Sequence, residues 1–458
     1  MNLIIFLGTI ACIHALFRYP PGKVAVLIYI PVMMLVPDAF HANVMGTPNS
    51  GMAIMIPLFI ATLIAYARFW KPSFADFLVI FIAFLMVVSE FQAVGFEGAR
   101  NRTFGVLFKI IGPYMVARLT IEREGLHVEL AKQIAFMVSI VAVLSIYEFK
   151  FGVDQFMELP ARFFFPGQGG GWVVTFRYGF ARIAGPYAHC ILAGMMMIIA
   201  YRLSRWLEWG GHWEATFKKF PNLPLSKGKL ITGAILLGSV MTLARGPWLG
   251  GILAAFFVNA GRSPKRKMAM ITAFSCIILI GVPGYIGFKS YTDVKPGQVM
   301  TMSQETAIYR QVLFEKYTAI AKDHAWLGWG KNTWPKVPGM SSIDNYYLLL
   351  SLMSGIFTTS LFILLMGWLV VRLYMKGMAE PVESNSIAFT LMGIIIAIFV
   401  SLATVYLGEN VEPVFYFILG WSESYLHGKG ASGIAQTSSN GEAPPEVNPQ
   451  KTFRRVIK

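Results

Sequence analysis

In the stretch "TLARGPWLGG" a single guanidinium, Arg245, stands between two apolar runs, "LITGAILLGSVMTLA" before it and "GPWLGGILAAFFVNAG" after it, with no acidic residue in either. Arg182, in "ARIAGPYAHCILAG", is placed similarly, beside a Gly-Pro pair and ahead of a long apolar segment. A buried membrane arginine without a partner costs roughly 2.5 to 3.5 kcal/mol. Each is therefore expected either to snorkel to lipid phosphate at a helix end or to hold an anion, and two such groups beside Gly and Pro breaks favour the anion. Guanidinium binds phosphate bidentately, so a pyrophosphate at the membrane surface would satisfy both. A third group is the pair Asp344 and Asn345 in "SSIDNYYLLLSLMSGI", at the head of an apolar helix. Asp344 either caps that helix or, facing an anion-binding pocket, accepts a proton from a sugar hydroxyl. The two roles are compatible.

The elements that would position these groups are membrane helices. Of 458 residues, 55% are hydrophobic and 14% charged, far more apolar than a soluble domain needs to fill a core. Apolar runs recur from Asn2 to Tyr425. Measured against the hydrocarbon thickness, they predict an all-α polytopic membrane protein of about 12–13 transmembrane helices, residues 1–427, followed by a disordered cytoplasmic tail, 428–458. The first run lacks a basic leader and a small-residue cleavage site, and reads as a retained span. The three cysteines, Cys12, Cys190 and Cys276, lie in apolar stretches without metal-ligand spacing. A net charge of +15 could suit nucleic acid, but the basic residues gather in short loops between apolar runs, which is the inside bias of membrane proteins. No nucleic-acid partner is expected.

The same bias orients the chain. Arg205, Lys218, Lys219, Lys227 and Lys229, and the segment "GRSPKRK", belong inside. The long loops 149–185, with "FFFPGQGGGWVV", and 289–343 then lie outside. In the second, Ile308, Val312, Leu313, Tyr317 and Ile320 recur at helical spacing, which predicts an amphipathic helix over Glu305 to Ala321. The chain between Lys229 and Arg262, roughly 32 residues, would run about 48 Å as one helix, too long for a core of about 30 Å and too short for two crossings. With both ends basic it must fold back on itself, and Gly246 with Pro247 offers a break just after Arg245.

These segments together resemble the O-antigen ligase and O-antigen polymerase superfamily. "GSVMTLARGPWLGGILAAFFV" is similar to its Ser-Arg-Gly helix, with Ala244 in place of the serine, and "RIAGPYAHCILAG" to its Arg-x-x-Gly segment. "YRQVLFEKYTAIAKDHAWLGWGKNTW" resembles its periplasmic arginine helix, which ends in Pro-x-x-Gly-x-Gly, and "IDNYYLLLSLMSGIFTTSLF" its His-Asn-x-x-Leu helix with a following glycine. The resemblance implies a membrane glycosyltransferase of the bacterial inner membrane, its active site facing the periplasm, which uses a glycan on undecaprenyl pyrophosphate as donor and needs no metal or other cofactor. It implies Arg182 and Arg245, with Arg310 as a third, as pyrophosphate ligands and Asp344, supported by Asn345, as the catalytic group. The family's ligases place a histidine where this chain has Asp344, which favours a polymerase with a glycan acceptor over a ligase with a lipid A core acceptor. Membrane lipid and other polysaccharide-assembly proteins are the further partners expected.

Two other readings fit the residues. A transporter or flippase for lipid-linked sugars would also carry outward arginines and Gly/Pro-broken helices, although no internal repeat is evident. A scaffold would not need the long outer loop with its "GWG" turn. The sequence holds neither an Asp-x-Asp pair for a divalent metal nor a Gly-rich Lys-Ser/Thr loop for a nucleotide.

Overall fold

The computed structural model describes residues 2–42, 47–163, 174–214, 226–292, 302–340, 342–408 and 410–428. The Gly-rich centre of "FFFPGQGGGWVV" and the tail after Gly428 lie outside the described residues. Helices are named below by their first residue.

The segment around Arg245 folds back as its length requires, in two helices, Lys227–Met241 and Arg245–Arg262. At 1.5 Å per residue they run about 22 Å and 27 Å, each short of the roughly 30 Å hydrocarbon core. The break, however, lies upstream of Arg245 and not at Gly246-Pro247. Leu243 adopts a left-handed φ of 47° and Ala244 is extended, and the second helix opens on Arg245 itself. Pro247 is then the third helical residue, where a backbone N–H has no intrahelical acceptor and its absence costs nothing.

Among the described residues six helices are long and apolar enough to cross a membrane: Ser50–Phe69, Phe74–Val94, His127–Phe151, Cys190–Trp209, Arg266–Thr292 and Tyr346–Ala379. Shorter apolar helices, Ile4–Leu16, Pro21–Leu35 and Ala388–Ser401, pack among them. The Cys190 helix is central, with 89% of its apolar stretch buried. The Arg266 helix is peripheral, with 11% buried. Around the Cys190 helix stand the His127, Lys227, Arg245 and Ala388 helices. A two-stranded hairpin, Phe176–Arg177 with Phe180–Ala181, is the one sheet among the described residues. The chain is an all-α polytopic membrane protein.

The amphipathic helix expected in the outer loop is Met302–Asp323. Leu313, Tyr317 and Ala321 bury their side chains against Trp334, Ile343, Leu348 and Leu352, a small core separate from the main one, while Ile308, Val312 and Ile320 are half-buried. Tyr317 ties the following loop by donating to the Met340 carbonyl (2.7 Å) and accepting from Val337 N–H (3.1 Å).

That loop is also plugged into a kink. Inside the Tyr346 helix Gly355 takes φ 90° and ψ 157°, which only glycine adopts without strain. The carbonyls of Leu352 and Met353 accept from Trp329 N–H (2.7 Å) and Gly330 N–H (2.9 Å), and Phe357 N–H donates to Ala325 (3.1 Å). The "GWG" turn thus completes hydrogen bonds that the kink leaves open. A Cβ on Gly355 would run into the Trp326 carbonyl, and one on Gly328 would stand 2.6 Å from the Gly355 nitrogen. Gly355→Ala is expected to destabilise the protein by ~3 kcal/mol from backbone strain and this clash, read as a lower Tm in detergent. An unchanged Tm would mean that the kink relaxes at no cost.

Candidate functional site

The break between the Lys227 and Arg245 helices leaves carbonyls without intrahelical donors, and the arginines of the preceding loop supply them. Arg177 Nη1 donates to Leu243 O (2.6 Å), Arg182 Nε to Thr242 O (3.2 Å) and Ile183 N–H to Met241 O (3.4 Å). Between them runs the hairpin, closed by Tyr178 and Gly179 with φ of 55° and 81°, the two positive angles of a type I′ turn. Its tip reaches Arg245, whose Nη2 donates to the Tyr178 hydroxyl oxygen (2.7 Å). Arg245 is exposed at the head of its helix.

Arg182 is held from behind by a buried carboxylate. Glu148, 1% exposed near the end of the His127 helix, accepts from Ala184 N–H (2.8 Å) and Gly185 N–H (3.0 Å), which fixes the turn after Arg182. Burial lowers the pKa of Arg182, and the positive charges of Arg177 and Arg310 add to the effect. Arg310 is exposed on the Met302 helix. Two further guanidiniums therefore act on Arg182, the electrostatic setting of an anion site. Each offers up to five N–H donors, more than the backbone carbonyls consume.

Asp344 is not the helix cap. Asn345 is: its Oδ1 accepts from Leu348 N–H (3.1 Å), and the helix begins at Tyr346. Tyr346 N–H, which has no acceptor within its helix, donates to Leu402 O (2.8 Å). Asp344 is exposed and accepts from Ser342 Oγ (2.8 Å). Its carboxylate acts electrostatically on His189, and so does Arg182. His189 caps the Cys190 helix, its Nδ1 accepting from Ile191 N–H (3.1 Å), which places the proton of the neutral ring on Nε2. Burial pushes its pKa down to about 4, with Asp344 opposing and Arg182 reinforcing the shift. The imidazole is neutral near pH 7.

The structure thus sets Arg182 and Asp344 to act on His189, with Arg310 acting on Arg182, and joins Arg245 to them through the hairpin. The loop after the Ala388 helix links the two ends: Thr404 packs on Gly246, Leu402 holds Tyr346, and the Tyr406 ring lies 6.2 Å from that of His189. Sequence reasoning missed Arg177, Tyr178, His189 and Glu148. Glu148 carried a usable signal, since it directly follows the apolar run ending at Tyr147, and a carboxylate at that depth marks a functional or positioning role. Glu148→Ala is expected to leave two buried N–H groups unpaired, costing ~3 kcal/mol, and to impair whatever Arg182 does, while Glu148→Gln, which keeps one acceptor oxygen, falls between. Thermal unfolding paired with an activity assay reads both. Wild-type activity in the Ala variant would remove Glu148 as the support of Arg182.

Residues 230–363 match the family model described as O-antigen ligase. The matched span runs from the Lys227 helix into the Tyr346 helix and includes Arg245, Arg310, Asp344 and Asn345; Arg182, Arg177 and His189 lie before it. The match supports the superfamily of O-antigen ligases and polymerases that the sequence resembles, and with it glycan transfer of the ligase or polymerase type by a multi-pass membrane protein. No curated protein matches the chain.

Proposed function

We propose that the chain transfers a glycan from an undecaprenyl-pyrophosphate donor to a sugar hydroxyl at the periplasmic face of the bacterial inner membrane, most simply as a polymerase extending O-antigen or exopolysaccharide. The observation that carries this reading is that Arg182 and Asp344 both act on a neutral His189, with Arg310 acting on Arg182 and Arg245 joined by the Tyr178 hairpin. Arg182, Arg245 and Arg310, aided by Arg177, hold the pyrophosphate and neutralise its charge, the task a divalent metal performs in other transferases. Asp344 accepts the proton of the acceptor hydroxyl as that oxygen bonds to the anomeric carbon. The anomeric C–O bond to phosphate breaks, and undecaprenyl pyrophosphate leaves with the electron pair, stabilised by the arginines.

Purified protein given a lipid-linked repeat unit tests this, with either a second repeat unit or lipid A core as acceptor. Longer lipid-linked glycan supports polymerisation. Transfer to lipid A core supports the ligase reading. Movement of lipid across a vesicle wall with no new glycosidic bond would support a transporter.

The sidedness makes a separate prediction. In a cysteine-free background, a probe at Lys316, exposed on the Met302 helix, is expected to react with a membrane-impermeant thiol reagent from outside, and one at Lys265 is not. The reverse pattern would put the site on the wrong face for this chemistry.

A further inference from the structure

The end of the bundle opposite His189 and Arg245 carries a second group of arginines that glycan transfer does not use. On the Cys190 helix, Arg202, Arg205 and Trp209 follow one another at three- and four-residue spacing and so share a face. Arg262, at the end of the Arg245 helix, lays its guanidinium 3.8 Å over the Trp209 ring, and Arg205 approaches the same ring at 5.2 Å. Arg205 is an electrostatic neighbour of both Arg202 and Arg262. Arg202 is 5% exposed, and its Nε has no hydrogen-bond partner among the described residues; the buried Nε of Arg266 is in the same state. Arg262 and Arg266 line one crevice with Trp206, Trp209, Asn385 and Phe389. The neighbouring carboxylate, Glu208, is already engaged by Arg205 and Thr232. Among the described residues Arg262 has only an amide for a hydrogen-bond partner, its Nη1 donating to Asn385 Oδ1 (2.8 Å).

We propose that Arg205 and Arg262, grouped round Trp209, with Arg202 beside Arg205 and 4.6 Å over the Tyr201 ring, bind the phosphate of an anionic phospholipid from the leaflet at that end of the bundle. Planar guanidiniums match phosphate oxygens bidentately. Trp209 ends its helix, and tryptophans at the ends of membrane helices favour headgroup level. Arg202 is two helical turns deeper, about 10 Å along the axis, and a cation there reaches an anion only by extending toward the interface. This depth favours a lipid headgroup over a soluble ion. The two helices that the phosphate would tie together are those whose other ends carry His189 and Arg245. Bound lipid would therefore hold both in register from a distance of about 30 Å.

The test uses the full chain in phosphatidylcholine nanodiscs, titrated with phosphatidylglycerol and followed by Tm. The wild type is expected to gain Tm saturably. The Arg262→Gln variant, changed at a helix end, and the Arg205→Gln/Arg262→Gln variant are expected to need about tenfold more phosphatidylglycerol or not to respond. Lys265→Ser/Lys267→Ser, which removes nearby charge outside the cluster, is expected to titrate as wild type. An equal shift in the lysine variant would reduce the effect to diffuse charge. Unaltered titration of both arginine variants, or equal stabilisation of the wild type by inorganic phosphate without anionic lipid, would overturn the site.

Discussion

Arg245→Ala is expected to lower glycan transfer by about 10²- to 10⁴-fold while leaving Tm nearly unchanged. The magnitude follows from losing two charge-assisted hydrogen bonds to the donor, each contributing about 1.5–3 kcal/mol. The small effect on stability follows from the structure: Arg245 is exposed, and among the described residues its guanidinium hydrogen-bonds only the Tyr178 hydroxyl. An arginine kept for packing would show the opposite pattern. Arg245→Lys is expected to recover little, because a point charge cannot reproduce the planar fork. Tyr178→Phe is a milder companion, since it frees Arg245 from its anchor without removing the charge. Full transfer by the Ala variant would return Arg245 to a lipid-snorkelling role.

The membrane architecture was legible because composition and helix length are additive properties. Thirty-odd residues between two basic anchors admit no arrangement but a fold-back, and the structure contains one. The position of the break was less legible, because proline disrupts a helix interior but not its first turn, and the sequence does not say which applies. The same one-residue problem separated Asp344 from Asn345. Both residue types cap well, and nothing in the segment itself announces that Asn345 takes the helix N–H while Asp344 takes the Ser342 hydroxyl. Glu148 and His189 were harder still. Their importance lies in what they face across the bundle, the Ala184–Gly185 turn for one and Asp344 with Arg182 for the other. No spacing within one helix encodes such a contact.

That correction at Asp344 sharpens the second large prediction. With Asn345 as the cap, Asp344 has no part in starting its helix, so Asp344→Asn tests its charge and little else. Transfer is expected to fall by roughly 10²-fold or more, the scale of losing general-base assistance. Donor binding is expected to persist, because the guanidiniums are untouched. Purified Asp344→Asn protein should therefore hold a lipid-linked donor about as tightly as wild type and fail to turn it over. His189 supplies an internal check. Its pKa, pushed down to about 4 from the usual 6.5, keeps the ring neutral through the range where an ordinary histidine charges. In the folded protein that neutrality persists from pH 7 toward pH 4, whereas the unfolded chain takes up the proton near 6.5. The histidine's contribution to stability is thus complete above pH 6.5 and lost as pH falls through that window. Wild-type transfer should accordingly show no loss centred near pH 6.5, and His189→Ala, by opening space beside Asp344, should lower kcat more than it raises KM. Normal turnover by Asp344→Asn would shift the search for the base to Glu305, Glu315, Asp323 and His324 of the 289–343 loop, while leaving the arginine site intact.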